Sequence, residues 1–302
     1  MTGVLYDVII VGGGPAGLSA ALVLGRCRRR VLVCDAGRPR NAASHALHGF
    51  ITRDGIDPAE FLKIARGQVA LYDTVELKRT EVSSAVRNKD SFDVTIANGE
   101  IVKARKLLLA TGVVDELPNV DGLRELYGQS VFHCPYCDGW EVRDQPLAIY
   151  GNGESGSGLA LELLLWSRDL VLCTDGPSTL TAEQAQRMGQ HNIPVREEKI
   201  ERLEGSNGQL SQIVFANGDK LPRHAMFFST DQHPASDLAQ KLGCQFTEQG
   251  CVATGDYEAT SVHGVYAAGD ASRLVQFVIV AAAEGAQAAV AINKELIKEE
   301  LD

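Results

Sequence analysis

Two cysteines separated by two residues are the sharpest chemical signal in the 302-residue sequence. They lie in the run HCPYCDG, residues 133–139. This spacing lets the sulfurs of Cys134 and Cys137 close a small disulfide ring, and a proline with helix N-terminal amides lowers a thiol pKa towards neutrality. Asp138 follows directly, where a carboxyl group can move a proton to or from a departing thiol. The run therefore predicts a catalytic redox pair, Cys134 and Cys137, with Asp138 as its acid–base partner.

Half of a structural zinc site is the rival interpretation of the same run. Zinc requires two further ligands. His133 and His191 are present, but there is no second CxxC and no HxxxH, so we predict no metal site. The remaining cysteines have no partner at a motif spacing, and we expect most of them to be buried free thiols: Cys27, Cys34, Cys173, Cys244 and Cys251.

A glycine-rich run, GGGPAG at 12–17, stands between an apolar segment and a helical pattern, and a second apolar segment ends at Asp35. This is the plan of a β-α-β nucleotide-binding unit. The first glycine permits a tight turn, the second a close approach to a pyrophosphate and the third close helix packing, while the acid accepts hydrogen bonds from a ribose. The residues predicted to hold this nucleotide are Gly12, Gly14, Pro15, Ala16, Gly17, Asp35 and Ala36.

The glycine-rich run does not separate FAD from NAD, but two distant segments do: ATG at 110–112 and GD at 269–270. The C-terminal run GVYAAGD, 264–270, reads as a buried strand that closes on an acid, and such a carboxylate suits the ribityl hydroxyls of a flavin, which NAD lacks. A helix beginning near Gln276 would present its free N–H groups to the reduced flavin ring. FAD is therefore predicted, with further contacts from Asn41, His48, Thr111, Gly112, Gly269, Asp270, Gln276 and Phe277.

A second nucleotide-type unit repeats the plan. Leu147–Tyr150 is a predicted strand, GNGESG at 151–156 a glycine-rich turn, Leu159–Trp166 a helix and Leu170–Cys173 a strand. A second nucleotide would contact Gly151, Gly153, Gly156 and Asp175.

These units predict an α/β protein with two Rossmann-like, three-layer ββα domains, the second inserted in the first. The last segment has no glycine-rich turn of its own, so it completes the first domain. The predicted division is an FAD-binding domain of 1–118 and 237–302, with a CxxC-bearing, NAD(P)-type domain at 119–236.

The composition argues against two classes of binding partner. A net charge of −10 without clustered cations argues against nucleic acid. No apolar run reaches the length of a membrane span, and the N-terminus lacks the basic and apolar regions of a signal peptide. We therefore expect a cytoplasmic protein with neither a nucleic-acid nor a membrane partner.

Taken together, GGGPAGLSAA, ATG, CPYCDG, GNGESG and AAGD resemble the low-molecular-weight thioredoxin reductase family over nearly the whole chain. The resemblance implies a homodimeric, FAD-dependent disulfide oxidoreductase. It implies that Cys137 faces the flavin, Cys134 attacks the substrate, Asp138 donates a proton and Asp270 holds the ribityl chain. The implied substrate is a thioredoxin-like protein or a small disulfide or dithiol.

Two departures from that family affect the electron donor. NADPH-dependent members carry a basic HRRxxxR element after the second strand of the second unit, where this chain reads LCTDGPS at 172–178. Asp175 would repel a 2′-phosphate and suit NADH, and Glu154 adds negative charge beside the turn. The last helix begins Val275-Gln276-Phe277 in place of Arg-Gln-Ala, so only Gln276 matches. NADPH is thus disfavoured, and NADH is the alternative nucleotide.

Four functions stay open at this point. The first is a disulfide reductase with a donor other than NADPH. The second is a dithiol oxidase running in the reverse direction with oxygen as acceptor, since thiol exchange is reversible. The others are a non-catalytic flavin redox sensor, supported by the altered second turn, and a plain NAD dehydrogenase, which the intact CPYCDG run argues against.

Overall fold

The computed structural model of the protein describes residues 4–302. Its contacts divide the chain into two units. Unit 1 comprises residues 4–42, Gly49–Val114 and Gln232–Asp302, and unit 2 comprises Ala43–His48 and Asp115–Asp231. The borders fall a few residues before the expected 118/119 and 236/237. Ala43–His48, which lies inside the expected first part, groups with unit 2.

The first segment of unit 1 alternates strands and helices, as the glycine-rich run predicts. It contains β1 (Leu5–Val11), α1 (Pro15–Arg26), β2 (Val31–Asp35), α2 (Pro58–Val69), β3 (Val75–Arg79), β4 (Val82–Arg87), β5 (Phe92–Ile96), β6 (Ile101–Leu109) and β7 (Val113–Asp115). Val8, Ile9 and Ile10 of β1 are all fully buried, which is typical of a central parallel strand covered on both faces.

Unit 2 has the same alternation followed by a run of strands. It contains α3 (Leu123–Leu126), β8 (Val131–Phe132), α4 (Pro135–Asp138), β9 (Leu147–Tyr150), α5 (Gly153–Glu162), β10 (Leu170–Cys173), α6 (Ala182–Gln190), β11 (Val195–Arg196), β12 (Ile200–Ser206), β13 (Gln209–Phe215), β14 (Lys220–Pro222) and β15 (Ala225–Phe228). The chain then returns to unit 1 with β16 (Gln232–Pro234), α7 (Leu238–Lys241), β17 (Val265–Ala267) and α8 (Val278–Leu301).

Each unit has a parallel sheet and an antiparallel addition. In unit 1 the parallel order is β3-β2-β1-β6-β17, and β4 and β5 join the N-terminal half of β6 antiparallel. In unit 2 the five-stranded parallel order is β11-β10-β9-β15-β8, beside the antiparallel sheet β12-β13-β14. The predicted α/β class with two Rossmann-like units is confirmed. Within residues 4–302, no helix combines the length and apolar character that crossing a bilayer requires.

Two helix boundaries differ from the sequence prediction. The last helix starts at Val278 rather than Gln276, because Phe277 has an extended backbone and forms the N-cap. The helix predicted at Leu159–Trp166 starts six residues earlier, at Gly153, because the Asn152 side chain caps it, and it ends in a 3₁₀ turn at Leu163–Leu165.

Close packing of α1 against α8 depends on small residues. A Cβ on Gly285 would overlap the carbonyl oxygen of Ala16, and Ala288 and Ala289 are fully buried. Because the side chains at these positions are small or absent, the backbones of α1 and α8 approach each other closely. This contact fixes α1, and with it the glycine-rich turn that precedes α1.

Gly285→Ala should therefore destabilise the protein by about 1–3 kcal/mol, because the new methyl group forces α8 away from α1. Urea unfolding followed by far-UV circular dichroism measures this. Gly67→Ala in α2 is the matched control: a Cβ there meets no atom within 4 Å among residues 4–302. That control should be neutral or stabilising by up to about 1 kcal/mol. Equal midpoints for the two variants would contradict the packing argument.

Candidate flavin and disulfide sites

The first glycine-rich turn is held by backbone hydrogen bonds at the carboxyl ends of three strands. The amide of Gly12 donates to the Cys34 carbonyl over 2.8 Å, and the amide of Ala110 donates to the Val11 carbonyl over 2.8 Å. A Cβ on Gly12 would overlap the carbonyl oxygen of Ala110, and its φ is +114°. Only glycine fits here, as the predicted tight turn requires.

Asp35 lies at the end of β2, where the sequence placed it. Its carboxylate accepts hydrogen bonds from the Gly37 amide at 2.9 Å and from the Arg66 guanidinium at 3.0 Å. A Cβ on Gly13 would lie 2.6 Å from the Asp35 carboxyl carbon. Gly13 and Arg66 were not predicted, although the middle glycine of the GGG run was a signal that this position has no room for a side chain.

The space beyond this turn fits the adenosine and pyrophosphate parts of FAD. A Cβ on Gly14 would meet no atom of residues 4–302 within 4 Å, and no side chain of that range caps the N-terminus of α1. Uncapped N–H groups at a helix N-terminus favour an anion. A cavity of about 250 Å³ adjoins the turn. It is lined by Gly13, Leu18, Val33, Asp35, Arg66, Leu77, Lys78 and Arg79.

Arg40 brings two predicted flavin residues together. Its guanidinium donates to Asp270 over 2.9 Å and to the Gln276 side-chain oxygen over 2.6 Å. The Gln276 side chain also exchanges hydrogen bonds with Gln232 at 2.8 and 3.0 Å. Arg40 was not predicted, because nothing in its neighbourhood of the sequence marks a partner 230 residues away.

The Gly269–Asp270 turn is fixed by a buried charge network. The Gly269 amide donates to Glu284 over 2.8 Å, and Arg273 bridges Glu284 at 2.5 Å and Glu258 at 2.6 Å. Burial raises the pKa of both carboxyl groups, and the Arg273 guanidinium opposes that rise. The network holds Asp270 at the end of β17.

The other predicted cofactor residues of unit 1 are spread over several segments of the chain. Thr111 and Gly112 follow β6 beside the Gly12 turn, and the Gly112 carbonyl accepts from Ala235 over 3.1 Å. Pro15 is the first residue of α1, and Ala16 lies against Gly285. Three more lie in unit 1, outside regular elements: Ala36, Asn41 and Phe277.

His48 belongs to unit 2, whereas the other predicted flavin contacts belong to unit 1. Its Nε2 is 3.5 Å from a carboxylate oxygen of Glu141, three residues after Asp138. Glu141 was not among the predicted site residues.

Unit 1 thus has the groups that FAD requires. Gly12, Gly14 and the start of α1 would hold the pyrophosphate, Asp35 the ribose, and Asp270 the ribityl chain. Bound FAD supplies reversible two-electron chemistry.

Cys134 and Cys137 form a disulfide, with Cα atoms 5.3 Å apart. Cys134 is the N-cap of the short helix α4, and Pro135 is its first residue. The Cys137 amide donates to the Cys134 sulfur over 3.2 Å, and the Asp138 amide donates to the Cys134 carbonyl over 3.2 Å. The motif therefore places a backbone donor on one sulfur, where negative charge develops when the disulfide opens.

Asp138 has the protonation behaviour of an acid–base group. Burial, and then the negative charge of Glu141, raise its pKa to about 7, while His48 acts in the opposite direction. A carboxyl group with a pKa near neutrality holds or releases a proton at the working pH. The predicted role of Asp138 is therefore chemically available in this structure.

Three of the five other cysteines are buried, as expected for most of them. Cys34, Cys173 and Cys244 are buried, and burial raises the pKa of Cys34 and Cys173 to about 12. Cys27 is exposed because it follows the last turn of α1 at the surface, and Cys251 is half-buried.

The second glycine-rich turn occupies its expected place between β9 and α5, and the nearby Asp175 is hydrogen-bonded within unit 2. Its carboxylate accepts from the Ile200 amide at 2.7 Å and from the Tyr150 hydroxyl at 3.2 Å. Burial and the neighbouring Asp175 raise the pKa of Tyr150 to about 12, so the hydroxyl stays a donor.

A model of the family described as pyridine nucleotide-disulphide oxidoreductase matches residues 6–285. The chain belongs to this family. It is a thioredoxin reductase-like, FAD-dependent disulfide oxidoreductase, as the sequence motifs predict, and membership implies a pyridine nucleotide as the family's second cofactor.

Relatives and solved structures agree with this assignment. The chain is 33% identical to thioredoxin reductase tcpT of Claviceps purpurea, over 88% of this chain and 86% of that protein. It superposes on TrxB from Bacillus anthracis with a TM-score of 0.93 and 36% identity, covering 98% and 99% of the two chains. For HlmI the TM-score is 0.94 and the identity 37%, covering 98% and 94%.

Gly14→Ala should weaken FAD binding by at least about tenfold, because the methyl group enters the space that a pyrophosphate needs. Unfolding of the apoprotein should be unchanged, since the protein itself leaves that space open. Titration of apoprotein with FAD, followed by flavin fluorescence, measures the affinity. Gly158→Ala in α5, whose Cβ would also meet no described atom within 4 Å, is the control with unchanged affinity. Unchanged FAD affinity in Gly14→Ala would contradict the assignment.

Asp138→Asn should slow reduction of the enzyme disulfide by about 10²- to 10⁴-fold. In the wild type, Asp138 is protonated below its pKa of about 7, so this rate should fall as pH rises through 7. The Asn variant should lack that inflection. Stopped-flow mixing with dithiothreitol, corrected for thiolate concentration at each pH, measures both effects.

Glu141→Gln is the matched control for this pH profile. Removing its negative charge should move the inflection to lower pH while most of the low-pH rate is kept, because Asp138 itself is intact. An inflection that persists near pH 7 in Asp138→Asn would assign it to another group.

Proposed function

We propose that this enzyme moves electrons between FAD held by unit 1 and the Cys134–Cys137 disulfide of unit 2, and from there to or from a substrate disulfide or dithiol. The disulfide with Asp138 beside it carries the proposal. Opening one disulfide takes two electrons and two protons, and a carboxyl group with a pKa of about 7 can supply one of those protons.

The two cysteines have different proposed roles, which follow from the family resemblance. Cys134 exchanges with the substrate, and Cys137 exchanges electrons with the flavin. The name of the Claviceps purpurea relative supports a thioredoxin-like protein as substrate, and a small disulfide or dithiol is the alternative. The cytoplasmic location and the homodimer stay predictions from the sequence.

The proposed donor is not NADPH. Residues 174–178 contain no cation to pair with a 2′-phosphate. On the neighbouring strand β11, the Arg196 guanidinium already pairs with Glu198 at 2.8 Å and Asp219 at 2.9 Å. An additional phosphate would have to compete with these carboxylates.

The same lack of a 2′-phosphate site favours the reverse direction as the second candidate function. There, a substrate dithiol becomes a disulfide by exchange at Cys134–Cys137. The two electrons and two protons then pass to dioxygen, giving hydrogen peroxide. This dithiol oxidase direction uses the same cysteines and the same proton site.

Cys134→Ser and Cys137→Ser should each slow flavin reduction by dithiothreitol at least about 100-fold, because the disulfide through which electrons pass no longer forms. The flavin spectrum during anaerobic stopped-flow mixing measures the rate. Dithionite should reduce the flavin of both variants normally. Cys27→Ser, at an exposed free thiol, is the control and should react like the wild type.

If Cys137→Ser is reduced by dithiothreitol as rapidly as the wild type, the CxxC pair is not the path of the electrons. Oxygen consumption with dithiothreitol, compared with the reduction of an oxidised thioredoxin by the prereduced enzyme, decides the direction. Faster oxygen consumption supports the oxidase, and faster thioredoxin reduction supports the reductase.

A further inference from the structure

The two glycine-rich turns of this chain are built in the same register, so their residues can be matched one by one. Val11 pairs with Cys34, and Tyr150 pairs with Cys173. The next amide donates to the same carbonyl in each: Gly12 to Cys34 over 2.8 Å, and Gly151 to Cys173 over 3.1 Å. By this register Asn152 stands where unit 1 has Gly13, and Thr174 stands where unit 1 has Asp35.

The ribose-binding acid is missing from the second turn. Thr174 is buried, and its hydroxyl donates to the Gly176 carbonyl over 2.7 Å. Asp175 lies one residue further along, at a φ of +53°. Its carboxylate is directed to the Ile200 amide and the Tyr150 hydroxyl. In unit 1, by contrast, Asp35 lines the cavity beside the turn.

Asn152 carries a side chain at the position where Gly13 has none, and that side chain is bonded to the surrounding loop. Its oxygen accepts hydrogen bonds from the Gly153 amide at 2.9 Å and from the Thr179 amide at 2.8 Å, and its nitrogen donates to the Pro177 carbonyl over 3.0 Å. The turn is thereby tied to the loop that follows β10. Because Asn152 caps α5, that helix begins one position earlier than α1 does in the same register.

The loop 177–179 also lies over the position at which a pyrophosphate approaches the turn. The Thr179 hydroxyl is 3.1 Å from where a Cβ on Gly153 would lie, whereas the matching Cβ on Gly14 faces open space among residues 4–302. The Thr179 hydroxyl also donates a hydrogen bond to the Asn152 side-chain oxygen, over 3.0 Å. Glu154 in the first turn of α5 adds a negative charge that repels a dianion.

We infer that unit 2 binds no pyridine nucleotide, neither NADPH nor NADH, and that Asn152 and Thr174 are the two residues that close the site. The second cofactor of the family therefore does not fit this chain. The inference deepens the proposed function, on which it rests, by removing both nucleotides as electron donors.

The test is isothermal titration calorimetry of the holoenzyme with NADH and, separately, NADPH at millimolar concentrations, with anaerobic flavin spectra of the same samples. The wild type should show neither binding heat nor bleaching. The double variant Asn152→Gly with Thr174→Asp copies the first turn, and it should bind NADH at least about tenfold more tightly than the wild type. Asn192→Gly, at an exposed asparagine of the same unit, is the control and should gain no affinity.

Wild-type binding of either nucleotide, with or without bleaching, would overturn the inference. Failure of a folded, FAD-loaded double variant to bind NADH would overturn the assignment of the closure to Asn152 and Thr174. If that variant does not fold, the wild-type titration alone decides. Dithiothreitol added to the same samples separates the two proposals: a flavin that dithiothreitol does not reduce contradicts the proposed function, while absent nucleotide binding still supports the inference.

Discussion

Close backbone approach without intervening Cβ atoms is the constraint on which unit 1 depends. A Cβ on Gly12 would overlap the Ala110 carbonyl, one on Gly17 would overlap the Gly12 carbonyl, and one on Gly285 would overlap the Ala16 carbonyl. Interiors at this packing density do not absorb an added carbon without movement. These contacts fix the start of α1 against the end of β6 and against α8, and that arrangement creates the place for a pyrophosphate.

The two glycine-rich turns share a strand register but differ in the side chains around them, and the inferred loss of nucleotide binding in unit 2 depends on that difference. Both turns have the same strand register and the same first hydrogen bond. Two side chains differ between the turns. In unit 1 Gly13 has no side chain and Asp35 lines the cavity beside the turn, whereas in unit 2 Asn152 and Thr174 form hydrogen bonds with the loop that follows β10. A polar group already paired in the protein offers a ligand little gain, since a new hydrogen bond only replaces an existing one.

Buried charge controls the chemistry of both units. In unit 1 the Arg273 guanidinium pairs with both Glu258 and Glu284, which offsets the cost of desolvating these carboxylates. The network holds the turn that carries Asp270. In unit 2 Asp138 has a like-charged neighbour instead, and burial together with Glu141 brings its pKa to about 7. Burial and neighbouring charges therefore stabilise a turn in unit 1 and set the pKa of a proton donor in unit 2.

The sequence by itself determined the features that depend on neighbours along the chain. Both β-α-β units and the Cys134–Cys137 pair with Asp138 follow from local patterns, because hydrophobic periodicity and turn glycines act over a few residues. Only the tertiary structure decided which distant groups meet. Arg40 reaches Asp270 and Gln276, Glu141 pairs with His48, and Asp175 turns to Ile200, although the sequence favoured a ribose. A side chain's hydrogen-bond partners depend on packing between elements, and no local pattern encodes that packing.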